Sequence, residues 1–291
     1  MFELSKHVIK SGFPKTAAVA CQGAEGAFSQ RAAEIIFDEP NIAFADSFEG
    51  VFKAVSGGRC RYGILPIENS NAGSVTDVYD LIKEYNFYIV RSVKVAIGHS
   101  LLAGKGVDIG RVKEVYTHEQ AARQCSKFLA RHPDIKLIIC ANTAVAAKLV
   151  ADSGRGDIAA IASEGCAKLY GIEVLAANIQ NSVNNSTRFI CISKECEIYD
   201  GADKISVMLT LEHKPGALYG VIKRFADLGL NLTKIESRPI ADTDFEFMFY
   251  FDVQASVADK RVRGVLAELE RNCPHFLFLG NYSEVKDNRC S

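Results

Sequence analysis

Five short polar clusters, each directly after an apolar run, hold the residue types from which an anion-handling site is built. They are Gln22-Gly23-Ala24-Glu25-Gly26-Ala27-Phe28-Ser29, Pro66-Ile67-Glu68-Asn69-Ser70-Asn71-Ala72-Gly73, Thr117-His118-Glu119-Gln120, Ala141-Asn142-Thr143 and Ser163-Glu164-Gly165. A helix that starts at such a place offers unpaired backbone N–H groups and the positive end of its dipole, so it favours an anion. Glu68 and Asn69 follow Pro66 at a predicted strand end, where their direction is fixed. Arg188 stands beside an apolar run, Phe189-Ile190-Cys191-Ile192. A guanidinium buried there needs an anion, either a protein carboxylate or a bound ligand. Each piece also has a plainer use. Gly23 and Gly26 serve a tight turn as readily as a ligand. Ser70, Thr143 and Ser163 are of the types that cap helices, and His99 and His118 are of a type more often structural than catalytic. Convergence of the clusters, rather than any one of them, implies a polar cleft for a small anion.

The elements that must carry these clusters follow from periodicity. Apolar runs at 17–21, 42–45, 62–65, 112–117, 135–140 and 158–162 alternate with amphipathic stretches such as 75–84, where Val78, Leu81, Ile82 and Tyr85 share one helical face. Strand–helix alternation of this kind predicts parallel sheets covered by helices. The stretch 88–97 predicts an extended strand crossing between two lobes, with 187–193 as the return. Ligands in such sheets bind outside the carboxyl ends of the strands, where the polar clusters fall. The polar segment 194–204 reads as a linker. Beyond it come a strand at 205–211, a helix from Ala217 to Leu228 and a strand at 230–237. Phe245, Phe247, Phe249, Phe251 and Val253 then alternate with polar residues, before a helix through Val262, Val265, Leu266 and Leu269 and a strand at 276–279. The order βαββαβ is the ferredoxin-like arrangement.

Composition narrows the function classes. The 291 residues are 48% apolar and carry a net charge of −1, which gives no basic footprint for nucleic acid. No run approaches the ~18 apolar residues that span a bilayer. Met1 to Lys15 lacks the apolar run of a signal peptide. Nine cysteines without a CxxC pair are expected to be free thiols acting as small buried hydrophobes in a reducing cytoplasm.

At these residues the sequence resembles the prephenate dehydratase family. The motifs are Gly23-x-x-Gly26 with Ser29, Pro66-Ile67-Glu68-Asn69-Ser70-x-x-Gly73, Thr117-His118-x-Gln120-Ala121 with Gln124-Cys125, and Asn185-x-Thr187-Arg188-Phe189. The C-terminal part resembles the ACT regulatory domain through Gly216-Ala217-Leu218 and Glu236-Ser237-Arg238-Pro239. Thr117 stands where the family often has serine, Glu119 where it often has proline, and Tyr219 where valine is usual. The resemblance implies an α/β fold: a two-lobed parallel-sheet catalytic domain, periplasmic-binding-protein-like, over 16–194, and a βαββαβ ferredoxin-like ACT domain over 204–283. No chorismate mutase domain precedes Ala17, so the chain is expected to be monofunctional or a fragment of a longer one.

The implied reaction converts prephenate to phenylpyruvate with loss of carbon dioxide and water, in L-phenylalanine biosynthesis. Aromatisation drives it, so neither a cofactor nor a metal is implied. The resemblance points to Thr187 for catalysis, and Glu68, Asn69, Gln120 and His118 are the further catalytic candidates. Thr187 polarises the leaving hydroxyl, Glu68 supplies the proton, and the others orient the substrate. Arg188, Ser70, Gly23, Gly26, Ser29, Asn185 and Phe189 are the implied substrate-binding set. Gly216, Ala217, Leu218, Asn231 and Leu232 are the implied site for L-phenylalanine as effector, at an interface of a homo-oligomer, a dimer or tetramer. Arogenate dehydratase and a non-catalytic amino-acid-responsive binding protein are the alternatives.

Overall fold

The computed structural model describes residues 9–182, 184–240 and 246–287, so Phe245 of the expected alternating strand lies outside the described residues. The chain divides into two compact units. One holds Thr16–Val78 and Val93–Phe189, with 286–287; the other holds Tyr79–Ser92 and Ile190–Val285, with 9–15.

In chain order the first elements are β1 (Thr16–Gln22), α1 (Phe28–Ile36), β2 (Glu39–Ala45), α2 (Phe48–Ser56), β3 (Tyr62–Asn69) and β4 (Gly73–Ser74). Then come α3 (Thr76–Tyr85), β5 (Tyr88–Ala96), β6 (Ser100–Ala103), β7 (Glu114–Thr117), α4 (Glu119–Gln124) and α5 (Ser126–Leu129). The run continues with β8 (Lys136–Ile139), α6 (Thr143–Ser153), β9 (Ile158–Ala162), α7 (Gly165–Tyr170), β10 (Glu173–Ala176) and β11 (Ser186–Ser193).

The first lobe is built on β2, β1 and β3, which run parallel with Val19 opposite Ile42 and Tyr62, and β11 lies beside β3. The second lobe is a five-stranded sheet in the order β10-β6-β9-β7-β8. Here β9, β7 and β8 are parallel, but β6 pairs antiparallel with both β9 and β10. The sheets are therefore mixed. The antiparallel strand β6, Ser-Leu-Leu-Ala, shows no alternation that a sequence reading could detect. Its burial has a simple cause. Leu101, Ala103, Val115, Ala159 and Ile161 pack with Ala121 and Phe128 on one face, while Leu102, Ile158, Ala160 and Ala162 pack with Ala144, Ala147 and Val150 on the other. A strand covered on both faces is apolar throughout.

The C-terminal elements are β12 (Lys204–Thr210), α8 (Ala217–Asp227), β13 (Asn231–Pro239), β14 (Phe247–Gln254), α9 (Lys260–Asn272), β15 (Phe276–Tyr282) and β16 (Glu284–Val285). The sheet order β13-β14-β12-β15, antiparallel throughout, is the ferredoxin-like arrangement expected from βαββαβ. Ile205, Val207, Leu209, Phe251 and Val253 face Val221, Phe225, Val262 and Leu266 of the two helices. Close packing also reaches the backbone. Gly280 has φ +151°, and a Cβ added there would lie 2.1 Å from the Ile89 carbonyl oxygen.

The segment 194–204 is not a solvated linker. Ile198, Tyr199 and Glu197 are buried. The Lys10 N–H donates to the Ile198 carbonyl at 2.8 Å, and the Lys10 ammonium pairs with Glu197 at 3.1 Å. All eight described cysteines are free thiols, and burial pushes the Cys125 and Cys196 thiols up to about 12. That makes them poor nucleophiles. Among the described residues no helix is long and apolar enough to cross a membrane.

Candidate active site

Four of the five polar clusters meet at a cavity of about 450 Å³ between the two lobes of the first unit. Ser163-Glu164-Gly165 does not line it, and the Ser163 hydroxyl donates to the Gly26 carbonyl at 3.3 Å. That volume suits a small metabolite. One wall is apolar, formed by Phe28, Phe48, Val75, Ile97 and Phe189. Opposite chemistry comes from Asn69, His99, His118, Gln120, Gln124, Asn142 and Thr187. None of the residues lining the cavity is acidic or a lysine or arginine. A ring with polar ends matches such a container. Arg123 lines only an adjoining depression and pairs with Glu119 at 3.2 Å, so backbone dipoles are the positive groups at the cavity itself. Two helix starts are placed to receive the anionic groups of a ligand. The N-terminus of α1 brings Ala27, Phe28 and Ser29 to the cavity, and Ala27 gives it no side-chain cap. The N-terminus of α6 brings Asn142 and Thr143, with the Asn142 side chain accepting from the Val145 N–H at 2.8 Å. Both ends favour negative charge.

The centre of the polar side is a bonded pair from two strands. The Asn69 amide donates to Thr187 Oγ1 at 2.9 Å, to Asn185 Oδ1 at 2.9 Å and to the Ser186 carbonyl at 3.2 Å. Its oxygen accepts from the N–H groups of Asn71 and Ala72 at 3.0 and 2.9 Å, so the amide orientation is fixed. A hydroxyl that accepts from an amide keeps its own hydrogen for another partner. Thr187 can therefore donate into the cavity.

The other expected site residues divide into those that meet the cavity and those that do not. Gly23, Ser29, Phe189, His118 and Gln120 line it. The Ser29 hydroxyl, however, donates to the Gln22 carbonyl at 2.6 Å. His118 caps α4, its Nδ1 accepting from the Gln120 N–H at 3.2 Å. Glu68 and Arg188, expected as proton source and substrate anchor, are not among the lining residues and pair with each other at 3.0 Å. The reason is strand parity: Thr187 and Phe189 face the cavity, so Arg188 between them faces away. The buried guanidinium has a protein carboxylate as its anion. Ser70 clips two segments instead, donating to the Asn184 carbonyl and accepting from the Ser186 N–H, both at 3.0 Å. Gly26 supports packing, since a Cβ there would lie 2.9 Å from Cys166 Sγ. Asn185 holds Asn69 from outside the cavity and lines an adjoining depression of about 490 Å³ that shares His118, Gln120 and Gln124. Thr117 is fully buried and its hydroxyl donates to the Ile161 carbonyl at 2.9 Å.

His99, of a type expected to be structural, lines the cavity at 3% exposure. Its ring bonds to Gln124 Oε1 at 2.9 Å. Burial pushes its pKa below the ordinary 6.5, against a smaller opposing contribution from the Gln124 bond. Between the lowered folded value and 6.5 the unfolded chain binds a proton that the folded chain does not. Stability from this group is thus fully present above the unfolded value and is lost as pH falls towards the folded one. Urea unfolding at about pH 5.5 and about pH 7.5 should show a smaller acid-side loss for His99→Asn than for the parent. Equal losses would mean that His99 does not titrate as described.

The C-terminal unit holds a separate cavity of about 360 Å³, lined by residues 211–215, Ala217, Leu218, Phe247 and Phe249. Gly216, with φ +82°, caps α8 between the lining residues. Asn231 and Leu232, expected in the effector set, do not line it. The Asn231 amide donates to Gln254 Oε1 at 2.8 Å, and Leu232 packs against the core.

Comparison with known proteins places this geometry. The family model for prephenate dehydratase matches residues 19–197. The chloroplastic arogenate dehydratase/prephenate dehydratase 2 of Arabidopsis thaliana is 37% identical over 276 residues, covering 91% of this chain and 72% of that protein. The prephenate dehydratase of Arthrobacter aurescens, solved in complex with L-Phe, is 30% identical with a TM-score of 0.78, covering 91% of this chain and 90% of that one. A structure described as a novel type of quorum-quenching acylase is 26% identical with a TM-score of 0.81, covering 94% of this chain and 100% of that one. With the family model matched over most of the chain and the polar pair Asn69–Thr187 in a charge-free cavity, the chain belongs to the prephenate dehydratase family of lyases.

Proposed function

We propose that this protein converts prephenate to phenylpyruvate in the cavity between the lobes, as a cytoplasmic, metal-free and cofactor-free enzyme. The catalytic domain is 16–194, and 204–283 is an ACT domain that binds L-phenylalanine in a homo-oligomer. One observation carries the reading: an amide-held threonine hydroxyl, Asn69 to Thr187 at 2.9 Å, facing an apolar-walled cavity. In the reaction the C–O bond at the ring carbon breaks and its electron pair leaves with oxygen. The bond from the opposite ring carbon to its carboxylate breaks as well, and that pair completes the aromatic ring while carbon dioxide departs. One proton is consumed in turning the departing hydroxide into water. Thr187 donates the hydrogen bond that stabilises the departing oxygen, and Asn69 makes that donor stronger. The two carboxylates of the substrate are received at the starts of α1 and α6. The apolar wall holds the ring.

Arogenate is the second substrate reading, favoured by the identity to an Arabidopsis protein whose name carries both activities. The acylase activity named for one structural neighbour is less well supported. It calls for an activated nucleophile, whereas the Ser29 hydroxyl is spent on a carbonyl and the bond recorded at Thr187 Oγ1 comes from an amide. Regulation rests on the cavity beside Gly216, Ala217 and Leu218 together with the L-Phe complex of the Arthrobacter relative.

Purified protein should form phenylpyruvate from prephenate, and L-phenylalanine should suppress the rate. Turnover indifferent to phenylalanine would remove the effector claim alone. A folded sample that turns over neither prephenate nor arogenate would leave the ligand-binding alternative.

A further inference from the structure

Four polar groups on the proposed substrate need partners: two carboxylates, the ring hydroxyl, and the group on the three-carbon side chain. The helix starts and Thr187 account for the first three. The fourth is a keto oxygen in prephenate and an ammonium in arogenate, so its partner must accept from one and donate to the other. His99 has the features this requires. It is 97% buried and lines the cavity, and its Nδ1 is a buried polar atom with no hydrogen-bond partner among the described residues. Leaving such an atom unbonded is costly, which points to a ligand atom as its complement. The ring is held on several sides. Its backbone N–H donates to Gln180 Oε1 at 2.9 Å, its carbonyl accepts from the Ile179 N–H at 2.9 Å, and its ring meets Phe28 edge-on at 6.0 Å.

We infer that His99, oriented by Gln124, binds the polar group of the substrate side chain and adapts to either substrate. The inference rests on the dehydratase reading above. With Gln124 Oε1 towards the ring, Nε2 donates at 2.9 Å and Nδ1 presents a lone pair, the match for an ammonium. If the Gln124 amide turns over, its NH₂ donates to Nε2, the proton moves to Nδ1, and Nδ1–H donates to a keto oxygen. Burial favours the neutral ring that both arrangements use. No charge changes between the two, so neither substrate requires a buried ion to form in the protein.

Two near-isosteric variants separate this role from a structural one. Asparagine places a polar atom near the former Nδ1, and glutamine near the former Nε2. Steady-state kinetics with prephenate and with arogenate would be measured for the parent, His99→Asn and His99→Gln, each with a melting curve. The expected result is a KM raised by no more than about threefold in His99→Asn and by about tenfold or more in His99→Gln, with kcat less affected. The reverse order overturns the inference, because it would show that holding Gln124 is what matters. Equal KM values in both variants, or losses that track the melting temperature, overturn it too. A folded parent that turns over neither substrate overturns the dehydratase reading itself, and this inference with it.

Discussion

Thr187→Ala should lower kcat for prephenate by about 10²–10³-fold while KM and the melting temperature change little, the size expected when one transition-state donor is removed. The fold should survive because the Asn69 amide, which loses Thr187 Oγ1, still has Asn185 Oδ1 and the Ser186 carbonyl as acceptors at 2.9 and 3.2 Å. Thr187 is a buried residue of β11, and removing one hydroxyl and one methyl group leaves only a small void beside the cavity. Thr187→Ser keeps the hydroxyl and should recover most of the rate. Circular dichroism and steady-state kinetics on the same samples separate chemistry from folding. An alanine variant with near-normal kcat would remove Thr187 from the mechanism.

Gly280→Ala has the largest expected effect on stability. The added methyl would meet the Ile89 carbonyl oxygen at 2.1 Å, a backbone atom that cannot swing aside, and φ at +151° disfavours any side chain. A clash of this kind costs several kcal/mol, about 3–5 by comparison with the severe core changes, and should lower the melting temperature by about 10 °C or more. Gly264→Ala is the control. It falls within α9, where nothing lies within 4 Å of the added methyl, and should stabilise by about 0.5–1 kcal/mol. Scanning calorimetry of the two variants tests the pair. A Gly280 variant that melts like the parent would mean that β15 and Ile89 are not packed as described.

The helices of the C-terminal unit were legible because their stripes are amphipathic, Val221 and Phe225 in α8, Val262, Leu266 and Leu269 in α9. The polar clusters were legible as a site because each follows a strand. What sequence could not supply was the face on which each residue of a cluster lies. Thr187, Arg188 and Phe189 are equally prominent in the motif, but strand parity turns Thr187 and Phe189 to the cavity and leaves Arg188 with Glu68. The role of 194–204 was hidden for another reason. Its charged residues look solvated until Lys10, far away in sequence, supplies the partner for Glu197. His99 follows the same logic, since its cavity position depends on β6 pairing antiparallel with β9, a register that the tetrad Ser-Leu-Leu-Ala does not announce.

The charge-free lining of the cavity also bears on how a catalytic cycle ends. A dianion enters, and a monoanion leaves beside neutral carbon dioxide and water. Partial positive charges at helix starts attract in proportion to the charge they face, so in the proposed binding mode one of the two loses its occupant when the ring carboxylate departs as gas. No lysine or arginine in the lining remains to be re-solvated or to cling to the keto acid. In that binding mode product affinity should drop as a direct result of the chemistry, with no charged side chain of the lining needing to move.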